Sequence, residues 1–318
     1  MHQIENMAYV DAAPWHGLGN LLAPKQPIEV WAQQAGMAFR ILEAPVRYTT
    51  KSPGTPTGMM SFPSQKVLYR SDSRAPLSVV SDRFLVVQPR EILEFYRDLT
   101  EVSGFELETA GVLKEGRKLW ALAKTGQAGS LKGGDSMRGY LLLATACDGT
   151  LATTAQFTSI RVVCANTLAV ALNNGTGAVK VPHSTKFDAQ AVKKQLGISV
   201  SSWDNFMYRM KTLSERKVKP HEASNYFLQV FKDGIDPAVQ PGQERALKAV
   251  QALYEGNGKG AGLSSASGTA FGLLNAVTEY VDHQRRSRTP DHRLDSAWFG
   301  QGAALKQKAV DHALMMVA

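Results

Sequence analysis

A chain of 318 residues, 44% hydrophobic and 20% charged, is long enough for one large or two smaller domains and apolar enough to bury a core. No apolar run approaches the roughly 20 residues of a membrane-spanning helix, and two cysteines, Cys147 and Cys164, are too few for a disulfide framework. The net charge of +8 favours an anionic partner, nucleic acid foremost, because Lys and Arg supply sequence-independent affinity for phosphate. The opening segment, Met1-His-Gln-Ile-Glu-Asn6, has neither a basic region nor an apolar stretch, so no secretion signal is expected and the cytoplasm is the expected location.

Residues 1–27 read as irregular around Pro14-Trp-His-Gly-Leu-Gly19, where His16 is expected to pack and hydrogen-bond rather than react. A short helix is expected over 29–36 and an alternating strand over 39–49. Residues 51–63, with three prolines and two glycines, read as a surface loop. Three short strands follow, over 66–70, 77–80 and 84–88. Pro89 suits a first helical position. The helix it opens, 90–103, sets Ile92, Phe95, Tyr96, Leu99 and Val102 on one face and stops at Gly104. Strands over 105–113 and 118–124 are joined by a turn at 114–117, and 126–134 reads as a flexible loop.

The rest of the chain is organised around 137–184. Tyr140 to Ala144 is continuously apolar, as in a strand buried on both faces. Asp148-Gly149 suits a hairpin turn, and 151–157 reads as the returning strand. From Ser159, a plausible N-cap, the residues Ile160, Val163, Cys164, Thr167, Leu168, Ala171 and Leu172 recur at threes and fours. That spacing predicts a helix stopped by Asn173-Asn-Gly175, although its β-branched content argues the other way.

After Lys186 the pattern turns helical. Val192, Leu196, Val200, Trp203, Phe206, Met207, Met210 and Leu213 form one long stripe across Gly197, ended by Pro220. Helices over 222–232 and 242–255, divided by 236–241, lead into a Gly/Ser-rich loop at 256–268, long enough to be mobile or functional. Helices over 269–283 and 296–317 close the chain around a basic break at 284–293. The fold class expected is α+β: a strand-rich core with embedded helices over 1–186, then a helical region over 187–318 packed on it.

Enzyme signatures are sparse. Gly256-Asn-Gly-Lys-Gly260 lacks the Lys-Ser/Thr and preceding strand of a phosphate loop, so a linker is the simpler reading. Cys164, on the apolar stripe, is expected to be a buried, inert thiol. Glu279 and His283, with Asp282 beside them, share a helical face and could hold a metal, but no further His or Cys stands nearby in sequence. The basic residues say more. Arg209, Lys211, Arg216, Lys217 and Lys219 face a single acid in 206–220, and Arg285, Arg286, Arg288 and Arg293 crowd 284–293. In the strand region Arg83, Arg117, Lys118, Arg138 and Arg161 fall near strand ends and turns, with Trp120 and Phe157 interleaved. Cations for phosphates beside aromatics for stacking suit single-stranded nucleic acid.

Trp15-His-Gly-Leu-Gly19, Ser81-Asp-Arg-Phe-Leu-Val-Val-Gln88, Ile160-Arg-Val-Val-Cys-Ala-Asn-Thr-Leu168, Gly268-Thr-Ala-Phe-Gly272, Asn275 to His283 and Arg293-Leu-Asp-Ser-Ala-Trp-Phe-Gly300 with Ala304-Leu-Lys306 together resemble the phage/plasmid-like protein family, an uncharacterised domain family. The resemblance covers nearly the whole chain. It implies residence on phages, plasmids and integrated elements, and no mechanism. In outline, a strand-rich basic core with an embedded helix is also similar to the single-strand annealing recombinases, which work as rings or filaments.

The function expected is therefore single-stranded DNA binding and annealing by a cytoplasmic homo-oligomer, with no cofactor, metal or nucleotide. Arg83, Arg117, Lys118, Arg138 and Arg161 would neutralise phosphates, and Trp120 or Phe157 would stack a base. The alternatives are a metal-dependent enzyme on nucleic acid using Glu279, Asp282 and His283, and an interaction protein that inhibits a host defence.

Overall fold

A computed structural model of the protein describes residues 7–11, 19–50, 58–170, 178–196, 200–232 and 241–318. The loop around Trp15 and His16, the stop at Asn173 to Gly175, Gly197, residues 51–57 and 236–240, and the side chain of Val102 lie outside the described residues. Along the chain come β1 (Met7–Val10), β2 (Asn20–Leu22), α1 (Ile28–Gln34), β3 (Ile41–Thr50), β4 (Gly58–Arg70), β5 (Pro76–Ser81), α2 (Pro89–Ser103) and β6 (Glu106–Leu113). Then follow β7 (Lys118–Leu131), β8 (Asp135–Ala146), β9 (Thr153–Arg161), β10 (Asn166–Ala169), β11 (Ala178–Val181) and α3 (Ala189–Leu196). The chain ends in helices α4 (Val200–Glu215), α5 (Pro220–Phe231), α6 (Pro241–Ala252), α7 (Ala270–Glu279), α8 (Pro290–Phe299) and α9 (Gln301–Met315). The fold is α+β. None of the described helices is long and apolar enough to cross a membrane.

The chain divides into two compact units, the first from residues 1–125, 141–156 and 178–197, the second from 126–140, 157–177 and 198–318. In the first unit, β1 pairs in parallel with β2 and antiparallel with β6, which pairs antiparallel with β7, while β11 pairs with the start of β9. The amphipathic helix α2 buries Ile92, Leu93, Phe95, Tyr96 and Leu99 on this sheet. Burying a phenol requires a partner for its hydroxyl. The Tyr96 hydroxyl finds two carbonyls, Ala121 at 2.8 Å and Leu141 at 2.9 Å.

A second sheet, β3-β4-β5, belongs to the same unit. It is longer than the sequence suggests, because β4 already begins at Gly58 inside the expected loop. The expected strand at 84–88 is irregular instead; there the Leu85 amide donates to the His183 carbonyl, and the His183 ring stacks on Phe84 at 4.2 Å.

In the second unit, β7 continues through the expected flexible loop to Leu131 and turns on Gly133 and Gly134, both at positive φ, into β8. The helix expected from Ser159 is absent: residues 159–161 end β9, 162–165 turn, and β10 returns antiparallel with Arg161 opposite Asn166 and Ser159 opposite Leu168. Thr158, Ile160 and Thr167 lose side-chain freedom in a helix and fit a pleated strand, so the β-branched content of the strands outweighs the spacing.

The helices of this unit surround α7, in which every residue from Ala270 to Glu279 is buried. The Thr269 side chain caps it by accepting from the Gly272 amide at 3.1 Å. Gly272 lets the preceding chain come close, since a Cβ there would collide with the Ala266 carbonyl. The stripe read as one helix over 192–213 is two helices, α3 in the first unit and α4 in the second, and the helix read over 296–317 is α8 and α9 meeting at Gly300. Of the 256–268 loop, residues 256 and 257 end a π-helical turn over Leu253–Asn257 and 258–268 are a run of tight turns, with Ser265 and Ala266 buried.

Candidate functional site

The second unit is centred on charges taken out of water. Arg161, at the end of β9, and Asp135, at the start of β8, have side chains only 2% and 0% exposed. The guanidinium donates Nε to both Asp135 oxygens at 2.9 and 3.0 Å and Nη2 to Oδ2 at 2.7 Å. Ser265 Oγ adds a bond to Asp135 Oδ2 at 2.6 Å, and the Lys259 and Gly260 carbonyls accept from Arg161 at 3.3 and 3.0 Å. A buried pair is tolerated only when its remaining donors and lone pairs are satisfied in this way. The glycine-containing turns at 256–262 thus serve the arginine by presenting backbone carbonyls. Cys164 is buried beside it, and burial pushes its thiol up to about 11, which suits packing rather than nucleophilic attack.

A second buried pair lies on the next helices. Lys306 Nζ donates to Asp282 Oδ1 at 2.8 Å and to Thr167 Oγ1 at 2.6 Å, while Asp282 Oδ2 accepts from the Thr167 amide at 2.7 Å. Asn166 donates to Thr278 Oγ1 and lies 3.1 Å from His283 Nε2. The β10 strand is thereby tied to α7, to α9 and to the π-helical turn Tyr280–Gln284.

Glu279, Asp282 and His283 therefore serve different partners. Glu279 accepts the Lys259 amide on both oxygens at 3.1 Å, Asp282 holds Lys306, and His283 faces Asn166. Burial raises the Glu279 carboxyl against the opposing Lys259 amide, and burial lowers His283. Among the described residues, no three His, Cys, Asp or Glu gather as a metal site. The void beside Glu279 and Arg161 is about 10 Å³, room for a water but not a substrate.

The residues expected at a DNA surface fall into two groups. Arg83 and Arg117 in the first unit and Arg138 in the second are exposed. Lys118 and Trp120 in the first, and Phe157 and Arg161 in the second, are buried. The correction has one cause: in the first half of β7, over 118–123, and at Phe157 and Arg161 of β9 the side chains are packed by protein whichever face they point to, whatever their type. Of the later basic cluster, Arg209, Lys211, Lys217 and Lys219 are exposed, and Arg216 pairs with Glu222 at 2.7 Å.

The first unit instead exposes aromatics on the far end of the β3–β4 ribbon. Past a bulge at Pro45/Val46, Val46 opposes Phe62 and Tyr48 opposes Met60 on one face, with Arg47 and Met59 on the other. Tyr48 is 47% exposed, Phe62 44%, Met60 50% and Met59 64%. Residues 40–83 hold seven Lys or Arg against three Asp or Glu. Exposed apolar side chains grouped on one face of a two-stranded ribbon make it a candidate contact surface. The alternation of Val46, Arg47 and Tyr48 was the available signal for it. Asp135, after two glycines, had none, and Lys306 stood out only within the Ala304-Leu-Lys306 stretch of the family resemblance.

Comparison with known families matches residues 76–298, more than two thirds of the chain, to the family described as Domain of unknown function (DUF932). The chain belongs to that family. The DUF932 match takes in Asp135, Arg161, Ser265 and Asp282, and leaves β3, β4 and Lys306 outside its limits. No curated protein and no solved structure matches the chain.

Proposed function

We propose that this DUF932 protein belongs to phages, plasmids and integrated elements and there binds single-stranded DNA and anneals complementary strands in the cytoplasm, without metal or nucleotide. The observation that carries the reading is the cationic β3–β4 ribbon with Tyr48 and Phe62 exposed. Aromatic faces accept any base, and each stacked base is worth about 1–3 kcal/mol. Tyr48 and Phe62 take the stacking role expected of Trp120 and Phe157. Arg47, Arg83, Arg117 and Arg138 supply the phosphate contacts, and the buried Lys118 and Arg161 hold the fold. The apolar face of the ribbon also supports self-association into a ring or filament.

The test is binding of a labelled single-stranded oligonucleotide and its duplex across a salt series, followed by annealing of complementary strands. Preference for the single strand, weakening steeply with salt and indifferent to a chelator, supports the reading. No binding at low salt removes it and directs the search to host protein partners.

A further inference from the structure

The second unit holds a cleft of about 530 Å³ that the DNA reading leaves unused. It opens to solvent, and its volume falls in the range of small-molecule pockets, about 300–1,000 Å³. Its wall is built from the end of α5, from α6, from α9 and from the π-helical turn that opens at Tyr280. Such turns insert one extra residue into a helix and occur frequently at functional sites.

The lining chemistry selects a ligand class. Val230, Phe231, Ala246 and Leu305 give an apolar floor, where Phe231 meets Tyr280 edge to face at 5.8 Å. Arg285 and Lys308 stand in the wall, and among the described residues no Asp or Glu lines the cleft. Arg285 donates to Gln301 Oε1 at 3.2 Å and Lys308 to the Lys232 carbonyl at 2.7 Å. Among the described residues, neither cation has a carboxylate partner. Two half-buried cations held by neutral acceptors keep their charge for an incoming anion.

We propose that this cleft binds a small organic anion, an acidic group carried on an aromatic or aliphatic body. The acidic group sits between Arg285 and Lys308, and the body covers Phe231 and Leu305. The probe is 8-anilinonaphthalene-1-sulfonate, with neutral N-phenyl-1-naphthylamine as its uncharged counterpart, titrated into the full chain and followed by fluorescence. The expected result is saturable binding of the sulfonate at one site per chain. Replacing Arg285→Gln and Lys308→Gln together weakens the sulfonate at least tenfold and leaves the neutral probe unchanged. Ala304→Trp, at an exposed position on the rim, blocks both probes while the circular dichroism spectrum stays native. The proposal is overturned by absence of saturable binding at millimolar probe. It is equally overturned by binding that ignores these replacements or that disappears with Phe62→Ser on the ribbon.

Discussion

Asp135 is one half of a fully buried charge pair in the second unit. It accepts from Arg161 and Ser265 with no solvent to replace either, so Asp135→Leu leaves a buried guanidinium without its counter-charge. Breaking such a pair costs about 3–5 kcal/mol, whereas removing both charges together is often neutral. Urea denaturation of Asp135→Leu, Arg161→Leu and the double replacement should therefore give a double penalty well below the sum of the singles. Simple additivity would mean that the pair contributes nothing as a pair. His283 gives a pH dependence with a definite sign. Burial lowers its pKa in the folded state, so on acidification below the ordinary histidine value of about 6.5 the unfolded chain takes up a proton that the folded chain does not. Its contribution is complete above that value and is lost as pH falls. Wild type should lose more stability than His283→Gln between pH 7.5 and 5.5, and equal losses would place the acid sensitivity elsewhere.

At the scale of elements, the β3–β4 ribbon separates binding from stability. Its outer half is exposed on both faces, so Tyr48→Ser with Phe62→Ser should change unfolding free energy by no more than about 0.5 kcal/mol. The same pair should weaken single-strand binding by about 1–3 kcal/mol for each base stack lost. A loss of stability without loss of binding would assign the ribbon to folding. Gly272→Ala, in contrast, should destabilise strongly, because the added methyl collides with the Ala266 carbonyl at the closest approach to α7. How much the sequence reveals differs between these elements. The hairpin of β6 and β7, helix α2 and the strand of β8 are legible from periodicity and turn residues. The β9–β10 hairpin is not, since a chain buried on almost every side repeats its apolar residues at threes and fours as readily as a helix does. Burial of Lys118, Arg161 and Trp120 is likewise invisible locally, because it depends on strands and helices far along the chain.

For the whole molecule, a family match without an ascribed activity leaves charge distribution as the main physical guide. A net charge of +8 acts at long range, and its effect falls with ionic strength. Exposed Arg83, Arg117 and Arg138 should each contribute uniformly across sequences, and replacing any one by Ala should lower the salt slope by roughly one. The buried Arg161 should change the slope only through unfolding. The most direct measurement is anisotropy of a labelled single strand and of its duplex at 50 to 300 mM salt, with the wild-type protein and Tyr48→Ser/Phe62→Ser. The account predicts tighter binding of the single strand, a linear fall of log affinity with log salt, and weaker binding by the ribbon variant. Equal affinity for strand and duplex, or binding unaffected by the ribbon replacements, would contradict it.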